Sequence, residues 1–296
     1  MDVGGGGRSA LIIFHLIETV ERTAVRDFPR AVEKEKVDWA QPAGRPKNCG
    51  VDMSYVHAIV GPTGVGKTAL ATRLARETNA PIVVADRIQC FTDLSTTSAR
   101  SDCDSSESII RLYLGDRVVA DGDYPAEEAA QELVRKLERL TMEYPYVVVE
   151  GGSISVLRRL AARRGQLSFN LSAQVLHIPD DVEYRLRLFT RARGMLSPNT
   201  GGPSMLDELS MAWNNESQRE FIASINGFEA ALEWCCHNRV DPATLSGKDM
   251  DPVLLDEIAW MIADAHAVHG REQDETFSAI FESTPVSSLR ELGCRS

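Results

Sequence analysis

The eight residues from Gly61 to Thr68, GPTGVGKT, constrain this chain more than any other segment. They follow an apolar run at 56–60 and lead into a helical pattern at 68–78, where apolar residues recur every three or four positions. A glycine-rich loop between a strand and a helix turns several backbone N–H groups toward one anion. The segment therefore predicts a diphosphate site in a fold of alternating strands and helices.

Two side chains of this loop have predicted roles beside its backbone. Lys67 supplies a positive charge to the phosphates, and the hydroxyl of Thr68 is a suitable ligand for Mg²⁺. The alternative interpretation, a glycine turn with an incidental lysine, does not account for the strand before the loop and the helix after it. The glycines expected to bring the backbone close to the diphosphate are Gly61, Gly64 and Gly66.

Strand and helix patterns alternate along the chain that follows the loop. Alternation of this kind is typical of a parallel, doubly wound sheet. The sequence therefore predicts an α/β fold, with a P-loop NTPase-like parallel sheet flanked by helices. Buried strands are predicted at 81–85, 146–149 and 174–178, and helices at 126–140 and 154–162.

From Asp180 onward, strand patterns cease and helical patterns dominate. An α/β core at 53–180 is therefore expected beside a helical subdomain at 181–281 that completes the substrate site. Residues 1–52 contain a glycine run and no clear periodicity, which predicts a flexible extension, and 282–296 are interpreted as a tail. Helices of the second part are predicted at 181–194, 204–213, 217–236 and 252–268.

Composition restricts the partners of this protein. A net charge of −11 argues against tight binding of a nucleic-acid backbone, which needs a basic surface. No apolar run reaches the roughly 18 residues of a membrane span, and the cysteines lack CxxC spacing. His266 and His269 are spaced like a metal-binding pair, but no third ligand lies nearby, so they are interpreted as surface or core residues. We expect a cytoplasmic protein with small-molecule ligands, and the oligomeric state stays open.

Acidic residues end two of the predicted strands. Ligands of parallel α/β sheets bind beyond the carboxyl ends of the strands, so Asp86 is expected to face the diphosphate. A carboxylate there can hold a metal through water or accept a proton from a nucleophile. Glu150 ends another strand, and Gly151 and Gly152 after it permit close backbone approach. A helix cap or a structural turn is the alternative interpretation of these residues.

Four blocks together resemble the adenylate isopentenyltransferases, the cytokinin-forming enzymes of plant-associated bacteria. The resemblance extends from about Tyr55 to Phe277. The related tRNA dimethylallyltransferases share the loop, but they typically carry Asp-Ser-Met-Gln where this chain has Asp-Arg-Ile-Gln at 86–89. That difference and the acidic charge favour a mononucleotide acceptor. The four blocks are GPTGVGKT at 61–68, ADRIQCFTDLSTTSAR at 85–100, RLYLGDR at 111–117 and EGGSISVLRRL at 150–160.

The resemblance implies a reaction and the residues that perform it. A dimethylallyl group would pass from dimethylallyl diphosphate to the N6 amine of AMP, with Mg²⁺ as the cofactor. Asp86 would be the base, with Thr63 and Lys67 also in the catalytic site. The diphosphate would be bound by the loop glycines, Lys67, Thr68, Arg191 and Arg193, with Thr68 as the metal ligand. AMP would be bound by Asp86, Ser98, Arg100, Gly152 and Ser153.

The same resemblance leads to an expectation about the donor. Relatives that take the hydroxylated donor place an acid and a histidine around the far end of the prenyl chain. By alignment, those positions fall at Met211 and Trp260, which are both apolar. A buried hydroxyl without a hydrogen-bond partner is unfavourable, so dimethylallyl diphosphate is expected to be preferred over its 4-hydroxy analogue.

Three other functions are compatible with the loop alone. A tRNA-modifying relative would differ in its acceptor. A small-molecule kinase would need lid arginines and a base for an acceptor hydroxyl, and the blocks at 85–100 and 111–117 have no part in that scheme. A non-catalytic nucleotide sensor is disfavoured because the loop, the metal-binding hydroxyl and the acid are all present.

Overall fold

A computed structural model describes residues 54–100, 109–198, 201–248 and 250–282. In this part of the chain, five parallel strands form one sheet in the order β3-β2-β4-β1-β5. The predicted parallel α/β fold is therefore confirmed. The strands are β1 (Tyr55–Val60), β2 (Ile82–Val84), β3 (Arg111–Tyr113), β4 (Tyr146–Gly151) and β5 (Asn170–Val175).

Helices connect the strands and make up the second half of the chain. None of those described is long and apolar enough to cross a membrane. The extension predicted at 1–52 lies outside the described residues, as does the predicted tail apart from Glu282. The helices are α1 (Lys67–Thr78), α2 (Ser95–Ser98), α3 (Ala126–Glu143), α4 (Ile154–Ala162), α5 (Asp181–Leu196), α6 (Met205–Trp213), α7 (Arg219–Ala223), α8 (Phe228–Asn238) and α9 (Pro252–Phe277), with a π-helical turn at Ser278–Glu282.

The two faces of the sheet are covered by different helices. Val56 and Val60 of β1 belong to the same buried cluster as Leu133 of α3. Ile59, between them in sequence, belongs to a second cluster with Leu74 of α1. Successive side chains of a strand point to opposite faces, so a continuous apolar run in β1 is required to bury both sides.

The long helices α5 and α9 pack against each other beside the loop. Tyr184 and Leu188 of α5 form a buried cluster with Ala263 and Ala267 of α9, and Val65 of the loop packs against it. All described residues belong to one compact unit. The division at residue 180 into a core and a helical subdomain stays a prediction.

The carboxyl ends of β1, β2 and β4 lie side by side. Val60 is paired with Gly151, and Val84 is paired with Glu150. The segments that follow these strands therefore leave the sheet at the same edge. This register brings the phosphate loop, Asp86 and the turn after Glu150 together, as the sequence predicted.

One helix prediction in the second half was wrong. The pattern at 217–236 was interpreted as a single helix, but the chain forms α7 and α8 with a break between them. Gly227 has a φ of 99°, a conformation that glycine adopts readily and that interrupts a helix. Amphipathic periodicity continues across such a break, so the pattern alone does not reveal it.

The two edge strands of the sheet, β3 and β5, also differ from the prediction. β3 was not predicted, because it contains only three residues and their burial is partial. β5 occupies 170–175 and not 174–178. It pairs with β1 alone and carries the polar residues Ser172 and Gln174, so the apolar run after it gave the stronger signal.

Candidate active site

The backbone of the loop adopts conformations that favour glycine. Gly61, Gly64 and Gly66 have φ angles of 147°, 84° and 96°. A Cβ atom on Gly61 would lie 2.3 Å from the carbonyl oxygen of Leu176, so no larger residue fits beside the end of β5. Gly66 directly precedes α1, and the N–H groups of the first turn of a helix are free to bind an anion.

Lys67 lies inside the curve of the loop. Its Nζ donates a hydrogen bond of 2.6 Å to the carbonyl oxygen of Pro62. Burial lowers the pKa of Lys67 to about 8, the nearby charges of Asp86 and Glu150 oppose this effect, and Arg191 adds to it. A diphosphate at this position would favour the charged lysine.

Thr68 and Glu150 form a cluster with an arginine that had no predicted role of its own. The Thr68 hydroxyl donates a hydrogen bond to Oε1 of Glu150, and Arg111 Nη1 lies 2.6 Å from Oε2. Glu150 is only 4% exposed, so the guanidinium balances a buried charge. Arg111 also donates to Thr72 of α1 at 3.2 Å. A hydroxyl and a carboxylate side by side are hard oxygen donors of the kind that Mg²⁺ prefers.

Asp86 is held by contacts with its own segment and interacts electrostatically with Lys67 and Arg191. Its Oδ1 accepts a hydrogen bond of 3.0 Å from the N–H of Ile88, and Oδ2 lies 3.5 Å from Nε2 of Gln89. These local bonds fix the carboxylate at the end of β2. Its charge favours the protonated forms of Lys67 and Arg191. The structure therefore brings together three residues that the sequence assigned to the site.

The two arginines predicted to bind diphosphate from α5 differ in their surroundings. Nε of Arg191 is buried and has no hydrogen-bond partner among the described residues, and burial lowers the pKa of this guanidinium while Asp86 opposes the shift. Nε of Arg193 lies 2.6 Å from Asp256, and Nη1 donates to Ser197 at 3.0 Å. Only Arg191 is near the loop lysine and the acid, so the role of Arg193 stays a prediction.

The segment that contains Ser98 and Arg100 is held by its own contacts. Ser98 is 8% exposed, and its Oγ accepts a hydrogen bond of 3.3 Å from the N–H of Arg100. The guanidinium of Arg100 donates to the carbonyl oxygen of Gln89 at 2.8 Å and to Asp116 at 2.5 Å. It also lies 4.0 Å from the centre of the Tyr113 ring. Contact with AMP would require Arg100 to exchange some of these partners.

Glu208 of α6 binds the residues just before Ser98, and the sequence did not predict this contact. Its Oε1 accepts from the N–H of Thr96 at 2.8 Å, and its Oε2 accepts from the N–H and the hydroxyl of Thr97 at 2.8 and 2.6 Å. Glu208 is 2% exposed, and burial raises the pKa of its carboxyl. An acidic residue in a helical pattern gives no signal of a partner more than 100 positions away in sequence.

The turn after Glu150 approaches both neighbouring segments closely. A Cβ atom on Gly151 would lie 2.5 Å from the carbonyl oxygen of Ala85, and one on Gly152 would lie 3.6 Å from Nζ of Lys67. Close backbone approach is therefore observed here. The hydroxyl of Ser153 lies 3.4 Å from that of Ser155 at the start of α4.

Two helical residues bind the backbone of the loop and were not predicted. The N–H of Thr63 donates to Oε1 of Gln273 at 3.1 Å, and the carbonyl oxygen of Thr63 accepts from the Tyr184 hydroxyl at 2.8 Å. Nε2 of Gln273 donates to the carbonyl oxygen of Gly152 at 2.6 Å. Neither residue belongs to a local motif, so their contribution is visible only in the fold.

The residues predicted to line the prenyl pocket lie in different surroundings. Met211 has 71% of its surface exposed on α6, which gives no support to its assignment. Trp260 of α9 stacks on Phe189 with 4.3 Å between ring centres. Both assignments stay predictions.

His266 of α9 has a polar ring in buried surroundings. Both of its ring nitrogens are buried and lack a hydrogen-bond partner among the described residues. Burial, together with the charges of Arg191 and His269, lowers the pKa of His266 to about 4. The imidazole is therefore neutral at pH 7. The described residues contain no cluster of three or more His, Cys, Asp or Glu side chains that could hold a metal ion.

The parallel sheet, the glycine loop before α1 and the grouped acid and cations define a P-loop α/β protein with a diphosphate-type site. The chain belongs to the isopentenyl transferase family, because its residues 54–286 match the sequence pattern of that family. It is 39% identical over 233 residues to the adenylate dimethylallyltransferase of Rhodococcoides fascians, covering 79% of this chain and 91% of that protein. The protein of the same name from Agrobacterium vitis is 31% identical, with coverage of 75% and 91%.

Two solved structures resemble this fold at low sequence identity. A eukaryotic dimethylallyltransferase that acts on tRNA has a TM-score of 0.57 and 16% identity, covering 76% of this chain and 70% of that one. A tRNA isopentenylpyrophosphate transferase from Staphylococcus epidermidis has a TM-score of 0.54 and 13% identity, with coverage of 77% and 91%. At this identity the likeness concerns the fold alone.

Proposed function

We propose that this protein transfers the dimethylallyl group of dimethylallyl diphosphate to N6 of AMP. The products are N6-(dimethylallyl)adenosine 5′-phosphate and pyrophosphate, and the reaction is a step of cytokinin biosynthesis. The observation that carries the proposal is that the phosphate loop, Asp86 and the turn after Glu150 leave the sheet at one edge, where Thr68 donates a hydrogen bond to Glu150 and Lys67 donates to Pro62. The relatives named adenylate dimethylallyltransferase, which match over 91% of their length, support it.

The cations of the site suit a diphosphate leaving group. As the bond between C1 of the prenyl chain and oxygen breaks, negative charge develops on the diphosphate. The amides before α1, the ammonium of Lys67 and the guanidinium of Arg191 would stabilise this charge. The buried Nε of Arg191, which lacks a partner among the described residues, is a donor that the leaving group would satisfy.

Asp86 suits the activation of the acceptor amine. The lone pair of the exocyclic N6 group is delocalised into the adenine ring, which makes it a poor nucleophile. A carboxylate that accepts a hydrogen bond from N6 increases the electron density on nitrogen and takes its proton as the N–C bond forms. Asp86 is held at the end of β2 by Ile88 and Gln89, so this carboxylate is oriented before the acceptor binds.

The residues present fit a magnesium ion beside the loop. The hydroxyl of Thr68 would bind it directly, and Glu150 would bind it through water, since both are hard oxygen donors in contact with each other. When bound, the ion would neutralise part of the charge on the diphosphate. Arg111 would hold the carboxylate of Glu150 in place.

The acceptor is assigned as a mononucleotide for two reasons. The net charge of −11 disfavours a polyanionic RNA partner, and the relatives of highest identity described above are named for adenylate. The residues proposed to contact AMP are Asp86, Ser98, Arg100, Gly152 and Ser153. The preference for the unhydroxylated donor and a cytoplasmic location are further parts of the proposal.

Incubation of the purified protein with AMP, dimethylallyl diphosphate and Mg²⁺, followed by mass spectrometry, tests this function. We expect an adenylate with one dimethylallyl group and an equal amount of pyrophosphate. Parallel reactions with ATP, with unmodified tRNA and with the 4-hydroxy donor define the substrates. Prenylation of tRNA but not of AMP would assign the protein to a different acceptor, and pyrophosphate release without a prenylated product would contradict group transfer.

A further inference from the structure

Gln273 connects two loops that belong to different parts of the site. The loop after β1 contains Thr63, and the turn after β4 contains Gly152. These segments are neighbours because Val60 and Gly151 are paired in the sheet. Gln273 is 3% exposed and binds one backbone group from each of them, so a single buried side chain fixes the distance between the two.

The chemistry of the amide makes this connection specific. The N–H of Thr63 needs an acceptor, whereas the carbonyl oxygen of Gly152 needs a donor. A carboxamide of this length offers both at once, and the two partners determine its orientation. A carboxylate would satisfy only Thr63, and an apolar side chain would satisfy neither, which leaves two backbone groups unpaired in the interior.

Tyr184 of α5 binds the other backbone group of the same residue, Thr63. Burial raises the pKa of Tyr184 to about 12, so its hydroxyl remains a donor to the carbonyl oxygen of Thr63. The hydroxyl passes so close to α9 that a Cβ atom on Gly270 would lie 2.1 Å from it. Both polar groups of the Thr63 residue are therefore bound by the helical half of the chain, just before the amides that face the phosphate.

We propose that Gln273 is a positioning residue that sets the diphosphate loop and the acceptor turn relative to each other, with Tyr184 as its counterpart on α5. It touches neither substrate, and its effect is transmitted through the backbone of Thr63 and Gly152. The identity of the two ligands rests on the proposed function. The expected consequence of losing this contact is a loop that binds diphosphate more weakly and a lower turnover number.

The test uses Gln273→Met, which keeps the length and unbranched shape of the side chain and removes both polar atoms. Ile258→Ala is the matched control, because Ile258 is fully buried on the same helix but lies 15 residues away, about 22 Å along the axis. Binding of inorganic pyrophosphate with Mg²⁺ is measured by calorimetry, and kcat and Tm are measured in parallel. For Gln273→Met we expect pyrophosphate affinity and kcat each to fall by about tenfold or more, because two hydrogen bonds are lost. For Ile258→Ala we expect a comparable loss of Tm with affinity within about twofold of the parent.

Each outcome decides the inference. If Gln273→Met binds pyrophosphate as the parent does, or if Ile258→Ala weakens binding as much at equal Tm, Gln273 has no positioning role. Should Gln273→Met fail to fold, Tyr184→Phe removes the hydroxyl that binds the carbonyl oxygen of Thr63, and unchanged pyrophosphate affinity in that variant would overturn the inference. If the parent protein itself does not bind pyrophosphate, the assignment of the loop to a diphosphate is wrong, and the inference that rests on it is overturned as well.

Discussion

The two sides of the site are built from different kinds of atoms. On the sheet side, the loop at 61–68 offers mainly backbone amides, with one lysine and one hydroxyl. On the helical side, α5 and α9 offer side chains: Arg191, which is proposed to bind the diphosphate, and Tyr184 and Gln273, which bind the loop. A site made of backbone needs consecutive residues and leaves a motif in the sequence, whereas a site made of side chains from two long helices does not.

The two sides of the site also differ in their proposed chemical roles. The sheet side supplies Asp86 and the phosphate loop, so substitutions there should alter the rate of the chemical step. The helical side supplies a guanidinium group and hydrogen bonds that hold the loop, so substitutions there should alter the affinity for diphosphate and the position of the loop. Four predictions test this division, from the largest expected effect to the smallest.

Asp86→Asn should lower kcat by about 10² to 10⁴, because general-base assistance typically contributes that much. The amide keeps the size of the carboxylate and can still bond Ile88, but it cannot take the proton of N6. Pyrophosphate affinity should change little, since Asp86 does not bind the leaving group. Single-turnover kinetics with AMP measure the chemical step, and a variant with near-parental kcat would remove Asp86 from the role of base.

Arg191→Met and Arg193→Met form a matched pair on one helix. Arg191→Met should weaken pyrophosphate binding by about ten- to hundredfold, because a charge-assisted hydrogen bond is worth about 1.5 to 3 kcal/mol. Against the role that the resemblance implies for Arg193, we expect Arg193→Met to leave that affinity unchanged, because Asp256 and Ser197 already bind its guanidinium. It should cost about 0 to 1 kcal/mol of stability, since Asp256 is half-exposed. Equal losses of affinity in both variants would place the two arginines at the diphosphate.

Lys67→Met should stabilise the unliganded protein while abolishing turnover. The pKa of Lys67 is about 8 in the fold and 10.5 as a free side chain, so burial of its charge destabilises the fold below pH 8. The gain at pH 7 should be at most about 3 kcal/mol, reduced by loss of the bond to Pro62.

The pH dependence of stability gives a second test of the charge on Lys67. Between pH 8 and 10.5 the unfolded chain binds more protons than the fold at this position, so the contribution of Lys67 to the stability of the parent rises with pH. The advantage of Lys67→Met should therefore shrink over that range. Urea unfolding without ligands at several pH values measures it, and a variant less stable than the parent at pH 7 would contradict the prediction.

Removal of residues 1–52 should leave both Tm and kcat unchanged. The strand β1 begins at Tyr55, and the residues that compose the site all follow it. The glycine run and the lack of periodicity in 1–52 predict no contribution to either side of the site. Thermal unfolding and steady-state kinetics of the shortened chain provide the check, and a fall in either quantity would show that this segment supports the fold.

Most of the sheet side could be predicted from the sequence. The loop, Asp86 and the helix at 154–162 were identified because each depends on neighbouring residues, and the helix has the predicted bounds. Buried parallel strands such as β4 are continuous apolar runs, which are easy to recognise. β3 was missed because its three residues are stabilised by pairing with β2 and not by a pattern of their own.

The helical side was predicted only where a resemblance to relatives supplied the residue. Arg191 was assigned to the site in this way and Gln273 was not, since a polar residue on a long helix usually faces solvent. The partner of Glu150 was also missed, because Arg111 lies 39 positions away in sequence and meets it only through the sheet. Hydrogen bonds across such separations depend on the completed fold.

The contacts of Tyr184 and Gln273 with the loop have a consequence for how this protein can change over time. Both side chains bind backbone atoms of Thr63 and Gly152, and backbone atoms are the same whatever residue carries them. Substitutions at position 63 that preserve the path of the backbone therefore leave these hydrogen bonds intact, apart from proline, which lacks the N–H. At this position the helices therefore constrain the path of the loop and not the side chain that residue 63 carries.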